Sequence, residues 1–569
     1  MVGLGIETLK LEEWRRLLRV ALGEEPADLV LRQARIVNVA SGEIEEADVA
    51  IVFGRIAGIG TYRDGHEEID LAGAYLAPSF IDGHVHVESS LLWIDQFARA
   101  VVPHGTGAVV TDPHEIANVA GLAGIRALAE AAAGLPLGVF LTIPSCVPAS
   151  PYESAGAVMD AAAIAEGLSL PNAVALGEMM NFPGVLAGDA AIYEKLRLPA
   201  RRRDGHAPGL RGSRLNAYIA SGMGSDHEST QLEEAREKLR RGLRVMIREG
   251  STEHNLLELL PLVTEATYPR CCFASDDRDC ATLLHDGHMD AIVRKAIAAG
   301  LDPIRAIRLA TLNTAEYWGL DGYGLVAPGY WANVVAFDRL DDIRPWLVLF
   351  QGEVVAQDGK ATFQTSRTIP EWLLDTVRVA PIERARLRLP ACDRMIAVEA
   401  IPGQIVTRAI EVEPTVRDGE VVADPERDLA KLVVVERHRA TGRVGVGLVR
   451  GFGLRRGALA SSIAHDAHNI VVVGIDDGDI LAAIDAVVAM RGGLAAVSDG
   501  VVRARLPLPV AGILSPEPLE TVAEQYEAVE RAAREMGSGV PAPFALLSFM
   551  ALSVIPEARV TDHGLVVLR

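Results

Sequence analysis

Cysteine is scarce in this chain of 569 residues. Its five residues, Cys146, Cys271, Cys272, Cys280 and Cys392, are odd in number and form no CxxC pair. Neither a disulfide framework nor a cysteine zinc site is indicated. No apolar run approaches the ~20 residues that cross a bilayer. The first 23 residues carry Glu7, Lys10, Glu12, Glu13, Arg15 and Arg16, which reads as an amphipathic helix and not a signal peptide. Positive charge is also short, 55 basic against 76 acidic residues for a net of -21. That balance disfavours nucleic acid and anionic membrane as partners, since both select a basic face. The run Arg201-Arg202-Arg203 reads as a solvated loop. There is no internal repeat or low-complexity tract, and we expect a soluble cytoplasmic protein.

What is present is a globular composition, 49% hydrophobic with a mean hydropathy of +0.20, on a chain too long for one core. Strand patterns at 28–39 and 47–59 flank a turn at Ser41-Gly42-Glu43. Similar ones return at 333–338, 347–351 and 353–356. Two β-rich pieces around a central segment predict one small composite β-sandwich. Between them, strand runs at 80–87, 107–111, 136–143, 173–176, a polar one at 201–204, a short one before Asp226, 243–247 and 271–274 alternate with helical stretches such as 231–239 and 289–299. Eight strands alternating with helices predict a TIM barrel, an α/β fold with its site at the strands' C-terminal ends. Strands at 431–435 and 470–473 and a helix at 479–490 predict a further α+β unit. The expected division is 1–78 for the helix and part of the sandwich, 79–324 for the catalytic barrel, 325–365 for the rest of the sandwich, and 366–569 for a C-terminal α+β domain covering the active site.

The first barrel strand places His84, His86 and Glu88 on one face by alternation. Two imidazoles so spaced can grip a metal ion, although a pair of hydrogen-bonded histidines is the plainer reading of His-x-His alone. Other polar residues follow at successive strand ends: Asp112, His114 and Glu115; Glu178; His206; Asp226, His227 and Glu228; Asp276 and Asp277. A barrel converges these ends on one mouth. Divalent ions held there by imidazole and carboxylate would lower the pKa of water, and a carboxylate such as Asp276 could move its proton to a leaving nitrogen. The residues therefore point to a metal-dependent hydrolase without naming the bond cleaved. His114 and Glu115 read as partners supporting the first-strand histidines, with an extra metal site as the alternative. Cys146 has no basic neighbour in sequence and reads as structural. His465, Asp466 and His468 read either as a helix face capped by Ser461-Ser462 and offered to the site, or as a locally bonded loop.

Longer motifs carry a resemblance. Phe80 through Ser90, Asp112-Pro113-His114-Glu115-Ile116-Ala117-Asn118, Asp204-Gly205-His206-Ala207-Pro208-Gly209, Ser225-Asp226-His227-Glu228, Asp276-Asp277-Arg278 and Ala464 through Ile470 closely resemble the bacterial and archaeal adenine deaminase family of the amidohydrolase superfamily. The resemblance implies hydrolysis of adenine to hypoxanthine and ammonia, in purine salvage, at a site holding two divalent ions of manganese, iron or zinc. It implies His84, His86, Glu178, His206, His227 and Asp276 as metal ligands, with Glu178 bridging. Asp276, Glu178 and His227 would be catalytic; Asp277, Glu88 and Ser90 would bind the purine. Asp112, His114, Glu115, His465, Asp466 and His468 would be accessory. The polar fifth strand and Leu91-Leu92-Trp93 depart from the family pattern. Expected partners are a small purine and further copies of the chain in a homo-oligomer, with neither nucleic acid nor membrane. A related hydrolase of guanine, cytosine or dihydroorotase type, or a silent metal-binding protein, are the alternatives.

Overall fold

The computed structural model describes residues 9–365, 368–401 and 406–568. Eight parallel strands form the central barrel: β1 (Phe80–Val85), β2 (Thr106–Thr111), β3 (Gly138–Ile143), β4 (Ala173–Met179), β5 (Arg203–Gly205), β6 (Ser225–Asp226), β7 (Arg244–Arg248) and β8 (Cys271–Ala274). Strands β1 to β5 pair in order, as do β6 to β8. The ring closes through a parallel bridge of Val85 with Asp276, where His86 N donates to Asp276 O and Asp276 N to His84 O, both at 2.9 Å. Strands β1, β2 and β7 are buried along their whole length, the burial expected where helices cover a parallel sheet. The polar fifth strand is short for a physical reason. Arg203 turns its guanidinium out to Leu196 O and Leu198 O, so only Asp204 and Gly205 enter the buried ladder.

The flanking segments meet in one nine-stranded sheet. Its junction is the antiparallel pair of Tyr75–Pro78 with Val334–Phe337. The single strand expected at 47–59 is instead a hairpin of Glu43–Val52 and Arg55–Gly60. Phe53 and Gly54 turn the chain there with φ of 52° and 70°. A side chain at Gly54 would also meet Gln351 O at 2.6 Å, so glycine is needed twice over. The N-terminal helix spans Leu11–Ala21, and the start of the predicted one lies outside the described residues.

The C-terminal segment builds an eight-stranded sheet with the helix Asp477–Ala489 on one face. Residues of its other face, Leu459, Val471 and Leu494, belong to the same apolar cluster as Val87, Leu91 and Trp93 of the barrel. Leu91-Leu92-Trp93 is where the two parts join: Ser515 N donates to Leu91 O (2.7 Å) and Trp93 N to Ser515 O (2.8 Å). The stretch holding His465 and His468 is a turn between the strands Ala458–Ser461 and Ile470–Gly474, not a helix. Ser461 caps that turn by accepting from Ile463 N (2.9 Å), and His468 sits in the left-handed region with φ of 55°. Among the described residues no helix is long and apolar enough to cross a membrane.

Candidate metal centre and adjoining cavity

His84 ends β1 and His86 follows it; Glu178 lies on β4, His206 and His227 follow β5 and β6, and Asp276 follows β8. The barrel brings all six together. His84 Nε2 and His86 Nε2 are 3.2 Å apart, and Asp276 Oδ1 is 3.6 and 3.2 Å from them. Glu178 stands opposite with its oxygens divided. Oε1 lies 3.4 Å from His86 Nε2 and 3.3 Å from His114 Nδ1. Oε2 lies 2.7 Å from His206 Nδ1 and 3.3 Å from His227 Nε2. Asp276 holds a left-handed backbone, φ 57°, a strain on the order of 1 kcal/mol or more that functional sites tolerate.

The donor set fits divalent metal. His84 Nδ1 is 2.8 Å from Asp204 Oδ2 and His86 Nδ1 is 2.8 Å from Asp112 O. With Nδ1 of each ring committed to these partners, the two Nε2 atoms face each other across the pocket, an arrangement a cation would relieve by binding both in their neutral form. His227 is 1% exposed, yet neither ring nitrogen makes a hydrogen bond among the described residues. Groups of three such side chains, His84–His86–Asp276 and Glu178–His206–His227 among them, have ligand atoms within 4.8 Å of one another.

The charges around the centre keep its carboxylates ionised. Burial pushes the Asp276 carboxyl up, but His86, Arg248 and His227 outweigh it and hold it well below the usual range. Burial likewise opposes ionisation of Glu178, and His114, His206 and His227 hold it down. Arg248, at the end of β7, donates to Asp276 Oδ2 at 2.8 Å and also pairs with Glu228. Asp277 points the other way and accepts from the Ser89 hydroxyl; burial and the charge of Asp276 push its carboxyl up.

The remaining residues fall into place around this core. Asp112 Oδ2 accepts from Glu178 N (2.8 Å) and Thr142 Oγ1 (3.1 Å), fixing β4 against β2. Glu88 Oε1 accepts from Ile116 N (3.1 Å), and its Oε2 is buried with no hydrogen-bond partner among the described residues. Burial and then Glu115 push the Glu88 carboxyl to about 7. Ser90 does not face the site: its hydroxyl donates to Val87 O (2.6 Å) and accepts from Leu92 N (3.2 Å), and Ser89 takes the outward position. His114 stands edge-on to His86 and lies 3.5 Å from Glu115 and 3.8 Å from Asp466. Glu115 receives His465 Nδ1 at 2.7 Å on one oxygen and His468 Nε2 on the other. Burial lowers the His465 pKa, but Glu115 raises it to about 9. Ala464 N donates to His468 Nδ1 (3.3 Å), so the proton of that ring sits on Nε2 and faces Glu115. A protonated Nε2 is a donor and not a metal ligand. Cys146 is buried beside Met179, and burial raises its thiol pKa.

Sequence reasoning passed over Asp204, Arg248 and Ser89. Asp204 shares a motif with His206 and Ser89 adjoins Ser90, so both carried a signal; Arg248 carried none.

Two cavities open here. One, of about 590 Å³, is lined by His86, His206, His227, Glu178 and Asp276 from the barrel and by Leu552, Val554 and Ile555 from the C-terminal segment. The other, of about 730 Å³, is walled by Leu91, Leu494, Ile513, Tyr526 and Phe544. Glu115, Asp277, His465 and Phe549 line both.

A parallel barrel with paired histidines on its first strand and an aspartate after its last defines an amidohydrolase, and residues 75–366 match the Amidohydrolase family. Residues 404–569 match the Adenine deaminase C-terminal domain. The chain is 53% identical to the adenine deaminase of Dehalococcoides mccartyi (strain CBDB1) over 553 residues, 97% of each chain. It is 46% identical to adenine deaminase 2 of Carboxydothermus hydrogenoformans over 553 residues, again 97% of each. The adenine deaminase of Methanothrix thermoacetophila is 46% identical over 559 residues, 97% of each. The chain belongs to the adenine deaminase family.

Proposed function

We propose that this enzyme hydrolyses adenine to hypoxanthine and ammonia at a divalent-metal centre in the barrel mouth. The observation that carries the reading is the pair of buried Nε2 atoms of His84 and His86, 3.2 Å apart and flanked by Asp276 and Glu178. His84, His86 and Asp276 would hold one ion, His206 and His227 a second, with Glu178 between them; manganese, iron and zinc all suit nitrogen and carboxylate donors. Bound there, the metal acidifies water so that hydroxide is available at neutral pH. Asp276 Oδ1 accepts one proton of the attacking water and delivers it to N1 of the ring; it then takes the remaining proton from the new C6 hydroxyl and passes it to the amine, which leaves as ammonia while the C6 carbonyl forms. Arg248 fixes the other oxygen, so the working oxygen faces the histidines. Asp277, held by Ser89, and Glu88 bind the purine. Ser90 supports the turn beneath them and is replaced by Ser89 in the binding role. The functional units are 79–324 for chemistry and 366–569 for the cover, with 1–78 and 325–365 forming the small sheet.

The test is ammonia release by metal-reconstituted protein across adenine, guanine, cytosine and dihydroorotate, with chromatography of the products. We expect ammonia and hypoxanthine in equal amounts from adenine. Turnover of another substrate without adenine, or of none, would overturn the reading.

A further inference from the structure

Glu115 and Glu88 are charge-bearing groups that the reaction above leaves without a chemical step. Both line the apolar cavity beside the metal pocket. Glu115 is gripped from the C-terminal side, one oxygen by His465 and the other by His468. These two ion-pair contacts orient the Glu115 carboxylate, whose oxygens together have room to accept a further N–H. His465 is itself held flat against Phe549, ring centroids 4.8 Å apart. Glu88 adds an independent sign that a ligand belongs here: it is 4% exposed and its Oε2 has no hydrogen-bond partner among the described residues. Two carboxyl groups in a cavity whose apolar wall is Leu91, Ile513 and Phe544 and whose polar lining includes Asp277 and Asp279 suit a flat, apolar-faced ring with an N–H on its edge.

We propose that Glu115, positioned by His465 and His468, accepts the imidazole N–H of the purine and so selects the free base over N9-substituted adenines. The proposal rests on the reading that adenine is the substrate. With C6 beside Asp276, the five-membered ring is the part of the base that reaches past Asp277 into the second cavity. An N9 substituent removes the N–H and leaves a buried carboxylate without its donor.

A ligand-by-variant cycle tests this, using adenine and 9-methyladenine with the metal-loaded wild type and Glu115→Gln. Binding is read by calorimetry, alongside kcat and KM. We expect wild type to bind 9-methyladenine weaker by on the order of 10²-fold or more, as a site built for an N–H does. Glu115→Gln should lose affinity for adenine and shrink the discrimination about tenfold or more, with metal content unchanged. Equal discrimination in both proteins would mean that the methyl group is excluded by shape alone, and would overturn the proposal. Should Glu115→Gln not fold, Glu115→Asp, which withdraws the carboxylate by one methylene, runs the same cycle. Intact N–H coupling without deamination would overturn the proposed reaction and support the contact. Deamination with no coupling would do the reverse.

Discussion

The two cavities at the barrel mouth are built in different ways. The metal pocket draws its histidines, Glu178 and Asp276 from strand ends of a single barrel, and each ligand is braced by a near neighbour: His84 by Asp204, His86 by Asp112 O, Asp276 by Arg248. The C-terminal segment contributes lining to both, Leu552, Val554 and Ile555 to the metal pocket and Leu494, Ile513 and Phe544 to the adjoining cavity, where they face Leu91, Glu115 and Asp277 of the barrel. The first is rich in charged groups and preorganised, which suits proton transfer and charge stabilisation. The second is apolar with a few fixed acceptors, which suits recognition. In the proposed reading chemistry and recognition are divided between the two, and four residues that line both, Glu115, Asp277, His465 and Phe549, form the threshold.

Substitutions on either side of that threshold should separate in kind. The largest effect belongs to Asp276→Asn, expected to lower kcat by on the order of 10²–10⁴-fold, the usual contribution of a general acid–base group. Asp204→Asn comes next. It loosens the hold on His84 and should weaken metal binding by about 10–100-fold, read by metal analysis after dialysis against a chelator series. Full metal retention would show that Asp204 does not orient the ligand. Asp277→Asn should raise KM about tenfold, the loss of one buried polar contact, with kcat little changed. The opposite pattern, rate lost at Asp277 and affinity alone at Asp276, would mean the two roles are reversed. Smallest is Ser90→Ala, which should cost about 1 kcal/mol of stability and leave KM alone, while Ser89→Ala raises KM. A kinetic effect confined to Ser90 would return it to the purine.

Much of the metal pocket is legible in the sequence because barrel topology does the work of assembly. Once eight strands are recognised, residues 190 positions apart such as His86 and Asp276 must share one mouth. Fine detail within a motif is harder to read. Alternation alone does not tell Ser89 from Ser90, because a short helical turn at Val87–Ser90 interrupts the strand period. Arg248 follows an apolar strand with no motif around it, and only the pairing of β7 with β8 brings it to Asp276. The His465–His468 spacing suggests a helix, yet the segment lies between two strands of one sheet and closes as a turn capped by Ser461. Its histidines reach Glu115 across some 350 positions of sequence, a contact that periodicity cannot reveal.

The most direct measurement is a crystal structure of the metal-loaded Asp276→Asn enzyme with adenine bound. The account predicts C6 and its amino group between His86 and residue 276, Asp277 on the ring edge, and the five-membered ring beyond the threshold against Leu91, Ile513 and Phe544 with its N–H on Glu115. A base lying wholly within the metal pocket, with no contact to Leu91, Ile513 or Phe544 and its imidazole N–H away from Glu115, would contradict it.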